Sequence, residues 1–184
     1  MRIFLAGATG VIGVRLVPLL LEAGHIVAGM TRSQGEVVEE LGAEPVVCDV
    51  YDAERLHEVV RAFAPDLVVH QLTDLPDELD RLEASLPANH RIRTEGTRNL
   101  LAAAGGAKTL AQSIAFPPGA EEHERLVLGA GGVVLRYGVF YGPGTYSGEE
   151  PPPPPPRIHV DEAARRTVDA LAAPPGTILT IVED

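Results

Sequence analysis

Short apolar runs alternate along this chain with stretches of helical period. The runs lie at 3–6, 26–30, 45–48, 67–70, 109–114, 133–139 and 177–182, rich in valine, isoleucine and leucine. A strand that is apolar on both faces is buried on both faces, which describes a parallel sheet covered by helices. Between the runs, apolar residues recur about every three to four positions, the amphipathic helical period. These segments are 11–22, 35–41, 53–63, 121–128 and 161–172, with a longer helical stretch inside 77–104. Strand and helix in alternation predict an α/β fold built on one doubly wound parallel sheet. Pro87 should break or kink the long helical stretch, because proline lacks an amide proton and crowds the preceding turn.

Composition narrows the function classes. A chain of 184 residues fits one compact domain. Its 26 acidic residues against 15 basic ones give a net charge of −11. Nucleic acid is therefore excluded as a partner, since phosphate binding draws on clustered lysine and arginine. The single cysteine, Cys48, rules out an internal disulfide framework and fits a reducing compartment. The apolar start of the chain is interrupted by Gly7, Gly10, Gly13 and Arg15, unlike a signal peptide. No apolar run approaches the roughly 20 residues that span a bilayer. The expectation is a soluble cytoplasmic protein with a small-molecule substrate and no membrane, possible as a homo-oligomer. The six prolines at 151–156 favour polyproline II and read as a stiff surface loop, with Glu149 and Glu150 as solvated charges before it.

The strongest motif is Gly7-Ala-Thr-Gly10-Val-Ile-Gly13. It follows an apolar strand and opens an amphipathic helix, the context a phosphate-binding turn requires. Glycines allow the tight turn and a close approach to a pyrophosphate, and the helix start presents free N–H groups. Thr9 adds a hydroxyl. About 20 residues on, where an acid would hold a ribose 2′-hydroxyl, the chain reads Thr31-Arg32-Ser33. A guanidinium flanked by hydroxyls suits a 2′-phosphate, so the cofactor expected is NADP, with NAD as the alternative. Asp49 closes the third strand, where it either accepts from an adenine amino group or caps the next helix; Asp52 is an equal candidate for that cap. None of the six histidines has zinc-ligand spacing, and no metal is expected. His70 stands at a strand end, either satisfied in the core or titrating near neutral pH. His159 precedes Asp161, which reads as a helix N-cap.

Taken in order, these residues resemble the short-chain dehydrogenase/reductase superfamily, in its extended or atypical NAD(P)-dependent epimerase/dehydratase branch. The resemblance rests on the glycine turn, Asp49-Val50, Val68-Val-His70-Gln-Leu-Thr73, Glu95-Gly-Thr-Arg-Asn-Leu-Leu-Ala-Ala103, Gln112-Ser-Ile-Ala115, Leu135-Arg-Tyr-Gly-Val-Phe-Tyr-Gly-Pro-Gly144 and His159-Val-Asp-Glu-Ala-Ala164. It implies a Rossmann-type sheet. It assigns Gly7, Thr9, Gly10, Val11, Ile12 and Gly13 to the pyrophosphate loop, and Thr31, Arg32 and Ser33 to the cofactor-discriminating turn. Asp49 and Val50 fall at the adenine, and Gln71, Leu72 and Thr73 beside the nicotinamide ribose. Tyr137 and Val139 fall near the nicotinamide, and Ser113 at the family's catalytic Ser/Thr. Where the family usually has an Asn two positions before Glu-Gly-Thr, this chain has Arg93.

The chain departs from that pattern at its chemistry. The family's Tyr, followed four residues later by a Lys, moves a proton at the substrate oxygen. Here the only lysine is Lys108, and Ala104 stands four residues before it. Residues 1–144 read as the cofactor core, and 145–184 as a reduced substrate-side segment with a last helix–strand unit. Ser113 and Tyr141 remain as catalytic candidates. The function expected is an NADP-dependent oxidoreductase or epimerase-like enzyme with non-standard catalytic residues. The alternatives are a repurposed isomerase, cyclase or lyase without redox turnover, and a non-catalytic NADP(H) sensor or subunit.

Overall fold

The computed structural model describes residues 1–76, 79–114, 119–148 and 151–183. Asp77, Ala115, Glu149 and Glu150, which entered the sequence reading, lie outside the described residues. Seven strands form one sheet: β1 (Arg2–Ala6), β2 (Ile26–Thr31), β3 (Glu44–Val47), β4 (Leu67–His70), β5 (Lys108–Ile114), β6 (Val133–Tyr137) and, last in the chain, β9 (Ile178–Ile181). The order across the sheet is β3-β2-β1-β4-β5-β6-β9, with every pairing parallel. The helices are α1 (Gly13–Glu22), α2 (Gly35–Glu40), α3 (Ala53–Phe63), α4 (Leu82–Arg91), α5 (Thr97–Ala104), α6 (Ala120–Gly129) and α7 (Val160–Asp169).

Strand alternation divides the core. Ile3 and Leu5 of β1 pack with Leu16, Val17 and Leu20 of α1 and Ala163 and Ala164 of α7. Phe4 and Ala6 point the other way, among Leu56 and Val60 of α3 and Leu100 of α5. Helices thus cover both faces, the doubly wound arrangement. In such a sheet ligands bind beyond the carboxyl ends of the strands where the strand order reverses, here between β1 and β4.

Several local features differ from the sequence reading. The helix runs through Pro87 without a break; the irregularity falls later, in a π-helical turn at Ile92–Gly96 between α4 and α5. The apolar run 133–139 splits at Gly138 into β6 and a short strand β7 (Val139–Tyr141). A Cβ on Gly138 would lie 2.8 Å from the Arg157 backbone, so the two chains cross there at closest approach. β7 pairs with β8 (Arg157–His159), a strand that three residues after a proline run do not announce. The prolines 151–156 form the surface loop leading into β8, mostly exposed. The last helical stretch ends as α-helix at Asp169 and closes with a 3-10 turn at Ala170–Ala172. α7 is capped by the His159 ring, whose Nδ1 accepts from the Asp161 amide at 3.3 Å, and not by Asp161. The Asp161 carboxylate is engaged instead by Arg15 at 2.6 Å. Arg15 also donates to the carbonyls of Val11 and Pro143, each at 2.6 Å, tying α1, α7 and the turn after β7 together.

Candidate functional site

The glycine turn leaves β1 and enters α1 at the carboxyl edge of the sheet, and its three glycines are there for different reasons. Gly7 has φ +92°, and a Cβ on it would lie 3.0 Å from the Gln71 carbonyl. At Gly13 a Cβ would lie 2.1 Å from the Gly7 oxygen, a position no side chain can take. These two are required by the protein's own backbone. Gly10 is not. Its φ lies outside the left-handed range and its nearest neighbour would be the Gly7 oxygen at 3.4 Å, an ordinary contact. Gly10 is exposed and lines an open cleft. No side chain caps α1, and its first turn carries no acid, which leaves its positive end available to an anion.

The cleft has a volume of about 330 Å³ and brings together most of the expected site: Gly7, Thr9, Gly10, Thr31, Arg32, Ser33, Asp49, Val50, Gln71, Leu72 and Thr73. The Thr9 and Thr31 hydroxyls lie 3.1 Å apart, joining the turn to the end of β2. Asp49 accepts from the Tyr51 amide at 3.0 Å, while Asp52 caps α3 through the Arg55 amide, which settles the choice of cap. The Leu72 carbonyl accepts from Gln112 Nε2 at 3.0 Å. Val11, Ile12, Gly13, Tyr137 and Val139 are not on the lining. Ile12 is in the core beside α1. Tyr137 is buried and receives the Gln71 side-chain amide at 3.3 Å. Its hydroxyl lies 2.5 Å from Thr167 Oγ1, which itself donates to the Ala163 carbonyl. The phenol therefore donates to Thr167, and burial pushes it up to about 12.

Ser113 and Tyr141 are not brought together. Each donates its hydroxyl to a carboxylate, Ser113 to Glu124 at 2.7 Å and Tyr141 to Glu183 at 2.6 Å. Glu124 is held low in pKa chiefly by Arg136, which binds it through two nitrogens at 2.9 and 2.6 Å. Hydrogen bonding to Glu183 raises the Tyr141 phenol above its ordinary value. Lys108 opens β5, roughly 20 Å along the strand from the carboxyl edge, and donates to the carbonyls of Leu171 and Ala173 at 2.7 and 2.6 Å. No rearrangement of side chains brings that ammonium to the cleft.

His70 is a core residue. Its Nδ1 accepts from the Leu72 amide at 3.2 Å, so Nε2 carries the proton and donates to Thr97 Oγ1 at 3.0 Å. Thr97 in turn donates to His123 Nδ1 at 2.8 Å, and His123 Nε2 donates to the Gln112 carbonyl at 2.8 Å. Burial lowers both histidines' pKa, so this chain of bonds is neutral. Among the described residues no group of three or more His, Cys, Asp or Glu is placed to hold a metal, and no helix is long and apolar enough to cross a membrane.

Residues outside the expected set complete the rim. Tyr51 lines the cleft, and the Arg91 guanidinium lies over its ring at 3.8 Å. Asp74 reaches across the opening, with Oδ1 at 3.1 Å from Arg32 Nη1 and Oδ2 accepting from the Tyr51 hydroxyl at 3.3 Å. The signal for Asp74 was its place directly after Thr73, an acid at the rim beyond a strand's carboxyl end.

A model of the NAD dependent epimerase/dehydratase family matches residues 3–124. A 3-diazoavenalumate denitrifying reductase from a Streptomyces species is 34% identical over 234 residues, covering 100% of this chain and 76% of the relative. That alignment is longer than the chain, so the relative carries segments with no counterpart here. Among solved structures, the Thermus thermophilus UDP-glucose 4-epimerase in complex with NAD superposes with a TM-score of 0.77 at 22% identity, covering 99% of this chain and 78% of that one. The Thermotoga maritima UDP-glucose 4-epimerase with UDP-glucose does so with a TM-score of 0.79 at 17% identity, over 99% and 77%. At those identities the likeness is one of fold.

Proposed function

Because the chain belongs to the NAD dependent epimerase/dehydratase family, we propose that it is a nicotinamide-dinucleotide-dependent reductase of a small molecule, using NADP(H) in preference to NAD(H). The observation that carries this reading is the cleft at Gly10, where a glycine that the backbone does not need keeps space open before an uncapped helix. Gly7, Gly10 and the start of α1 would hold the pyrophosphate. Thr31, Arg32 and Ser33 would take the 2′-phosphate, Asp49 and Val50 the adenine, and Gln71 to Thr73 the nicotinamide ribose. A bound dinucleotide of this kind supplies hydride.

The protein's own acid–base equipment favours one class of substrate. A carbonyl reduction needs a proton at the new alkoxide oxygen, and the phenols here are poor at that task. Tyr137 donates inward, Tyr141 is bound to Glu183, and no ammonium stands near either. General acid–base help is worth roughly 10²–10⁴ in rate, so carbonyl turnover is expected to be slow by that order. Loss of a diazo group as N₂ makes no alkoxide. An arenediazonium takes up hydride and leaves as arene and dinitrogen, with atoms and charge balanced and no proton donor required. The relative's name describes a reductase that removes nitrogen from a diazo compound, and this chain's want of a Tyr–Lys pair suits the same class. Ser113 and Tyr141 enter as substrate contacts at the carboxyl edge.

Two experiments test the reading. Fluorescence titration with NADPH and NADH should show tighter NADPH binding, and Arg32→Ala should weaken NADPH by about 1.5 kcal/mol while NADH barely moves. Turnover of a diazotised aminobenzoate, followed by loss of its absorbance, is expected to exceed that of an aldehyde and ketone panel. Ser113→Ala and Tyr141→Phe should alter KM more than kcat. Binding of neither dinucleotide at millimolar concentration refutes the proposal.

A further inference from the structure

Asp74 is a fixed carboxylate placed against a movable cation. Its side chain is only 12% exposed, whereas that of Arg32 is 64% exposed. Besides Arg32, two contacts hold Asp74 directly and a third braces one of its partners. The Tyr51 hydroxyl donates to Oδ2, the Asp74 amide donates to Asn89 Oδ1 at 3.3 Å, and Arg91 stacks on the Tyr51 ring. Burial, and then the neighbouring carboxylate, push the Tyr51 phenol up to about 12, so it stays protonated and keeps donating. Asn89 is itself fully buried, in α4. The ion pair therefore joins the end of β2 to the loop after β4, with its anionic half built into the protein and its cationic half largely exposed to solvent.

We propose that Asp74 is a specificity-determining residue that competes with the 2′-phosphate of NADP(H) for Arg32, and so sets how strongly this protein prefers NADP(H) over NAD(H). The inference rests on the reading of Arg32 as the residue that meets the 2′-phosphate. A 2′-phosphate gains Arg32 only by taking it from Asp74, and arrives beside the carboxylate it has displaced. A 2′-hydroxyl gives up nothing of the kind. Asp74 thereby narrows the gap between the two dinucleotides.

The test is calorimetric titration of the full chain with 2′,5′-ADP and with 5′-ADP, which carry the adenosine end without the nicotinamide, and then with NADPH and NADH. Asp74→Asn keeps the shape and can still accept from Tyr51. It should tighten 2′,5′-ADP and NADPH about three- to tenfold, the combined effect of releasing a partly exposed ion pair and removing one like charge. 5′-ADP and NADH should change less than twofold. Asp74→Ser, smaller and also uncharged, should move the same ratio in the same direction, which a mere loss of packing would not. Equal shifts for both ligands, or none, overturn the role of Asp74 while leaving Arg32 as it stands. If Arg32→Ala fails to separate 2′,5′-ADP from 5′-ADP in the otherwise unchanged protein, the reading of Arg32 itself is what falls.

Discussion

Replacing Gly10 and Gly13 in turn by alanine adds the same methyl group twice within one turn, with opposite consequences expected. At Gly13 the new carbon would sit 2.1 Å from the Gly7 oxygen and 2.8 Å from the Ala8 carbonyl. Both neighbours are backbone, so relief requires moving the end of β1 or the start of α1. Overpacking a core commonly costs about 1–3 kcal/mol, and a clash with main chain on both sides puts Gly13→Ala at or above the top of that range. For a domain of this length about 3 kcal/mol corresponds to a fall of roughly 6–12 °C in Tm. At Gly10 the carbon meets only the Gly7 oxygen at 3.4 Å, and the backbone is not left-handed. Gly10→Ala should therefore keep the wild-type Tm or gain slightly, by the roughly 0.4–1 kcal/mol that comes from stiffening the unfolded chain. Gly10 lines the cleft, however, so the methyl should weaken NADPH by about 1–3 kcal/mol, roughly five- to 150-fold. Thermal melts by circular dichroism and NADPH fluorescence titration on both variants separate the two effects. Wild-type affinity in Gly10→Ala would show that no phosphate sits at this turn. A wild-type melt for Gly13→Ala would show that the turn is not packed as described.

Stability should depend on pH through His70 and His123. Their folded pKa values lie below the ordinary histidine value because they are buried. The unfolded chain therefore binds more protons, and stability is full above about pH 6.5 and is lost as pH falls below it, by up to about 2.7 kcal/mol per pH unit for the two together. Urea midpoints measured at pH 7.5 and 5.5 check this, and an unchanged midpoint contradicts it. Thr97→Val keeps the shape but strands His70 Nε2–H and His123 Nδ1, at about 2–4 kcal/mol; Thr97→Ser should recover most of it. Arg15→Met removes three hydrogen bonds that join α1, α7 and the turn after β7, and should cost about 2–3 kcal/mol in the same urea assay, with Arg15→Lys intermediate.

Elements whose own sequence carries the cause were legible beforehand. β1 is apolar on both faces and is followed by a glycine turn, and α3 has its apolar face at Leu56, Val60 and Phe63, with Asp52 one of the two caps its sequence offered. The cleft followed from the same logic, since a strand's carboxyl end and the turn after it share one edge. Features created by the meeting of distant segments were not. β8 exists because Arg157 to His159 pass Val139 to Tyr141, and the polar-apolar-polar alternation of three residues is too short to announce a strand. The π-helical turn lies in a sequence of regular helical character. Tyr141 meets Glu183 across 42 positions and Arg32 meets Asp74 at the converging ends of two strands. Asp161, which its place suggested as the cap of α7, is claimed by Arg15 from 146 residues away, and His159 takes the cap.

The wide turn at Ile92–Gly96 has a bearing on how this stretch tolerates insertion and deletion. In an ordinary helix each residue advances about 100°, so consecutive residues cannot all face inward. Here Ile92, Arg93, Thr94, Gly96 and Thr97 are all buried, with Glu95 alone between them partly exposed. The turn serves two clients at once. Ile92 lines the cleft, while Thr97 joins the two buried histidines. Loss of a single codon within 92–96 would leave a sequence still fully capable of being helical. It would turn α5 by about a quarter of a revolution against α4, sending Thr97 away from His70 or Ile92 away from the cleft. The angular phase between α4 and α5 is thus itself a dimension of the site, as binding on the chain as the identity of any one side chain in it.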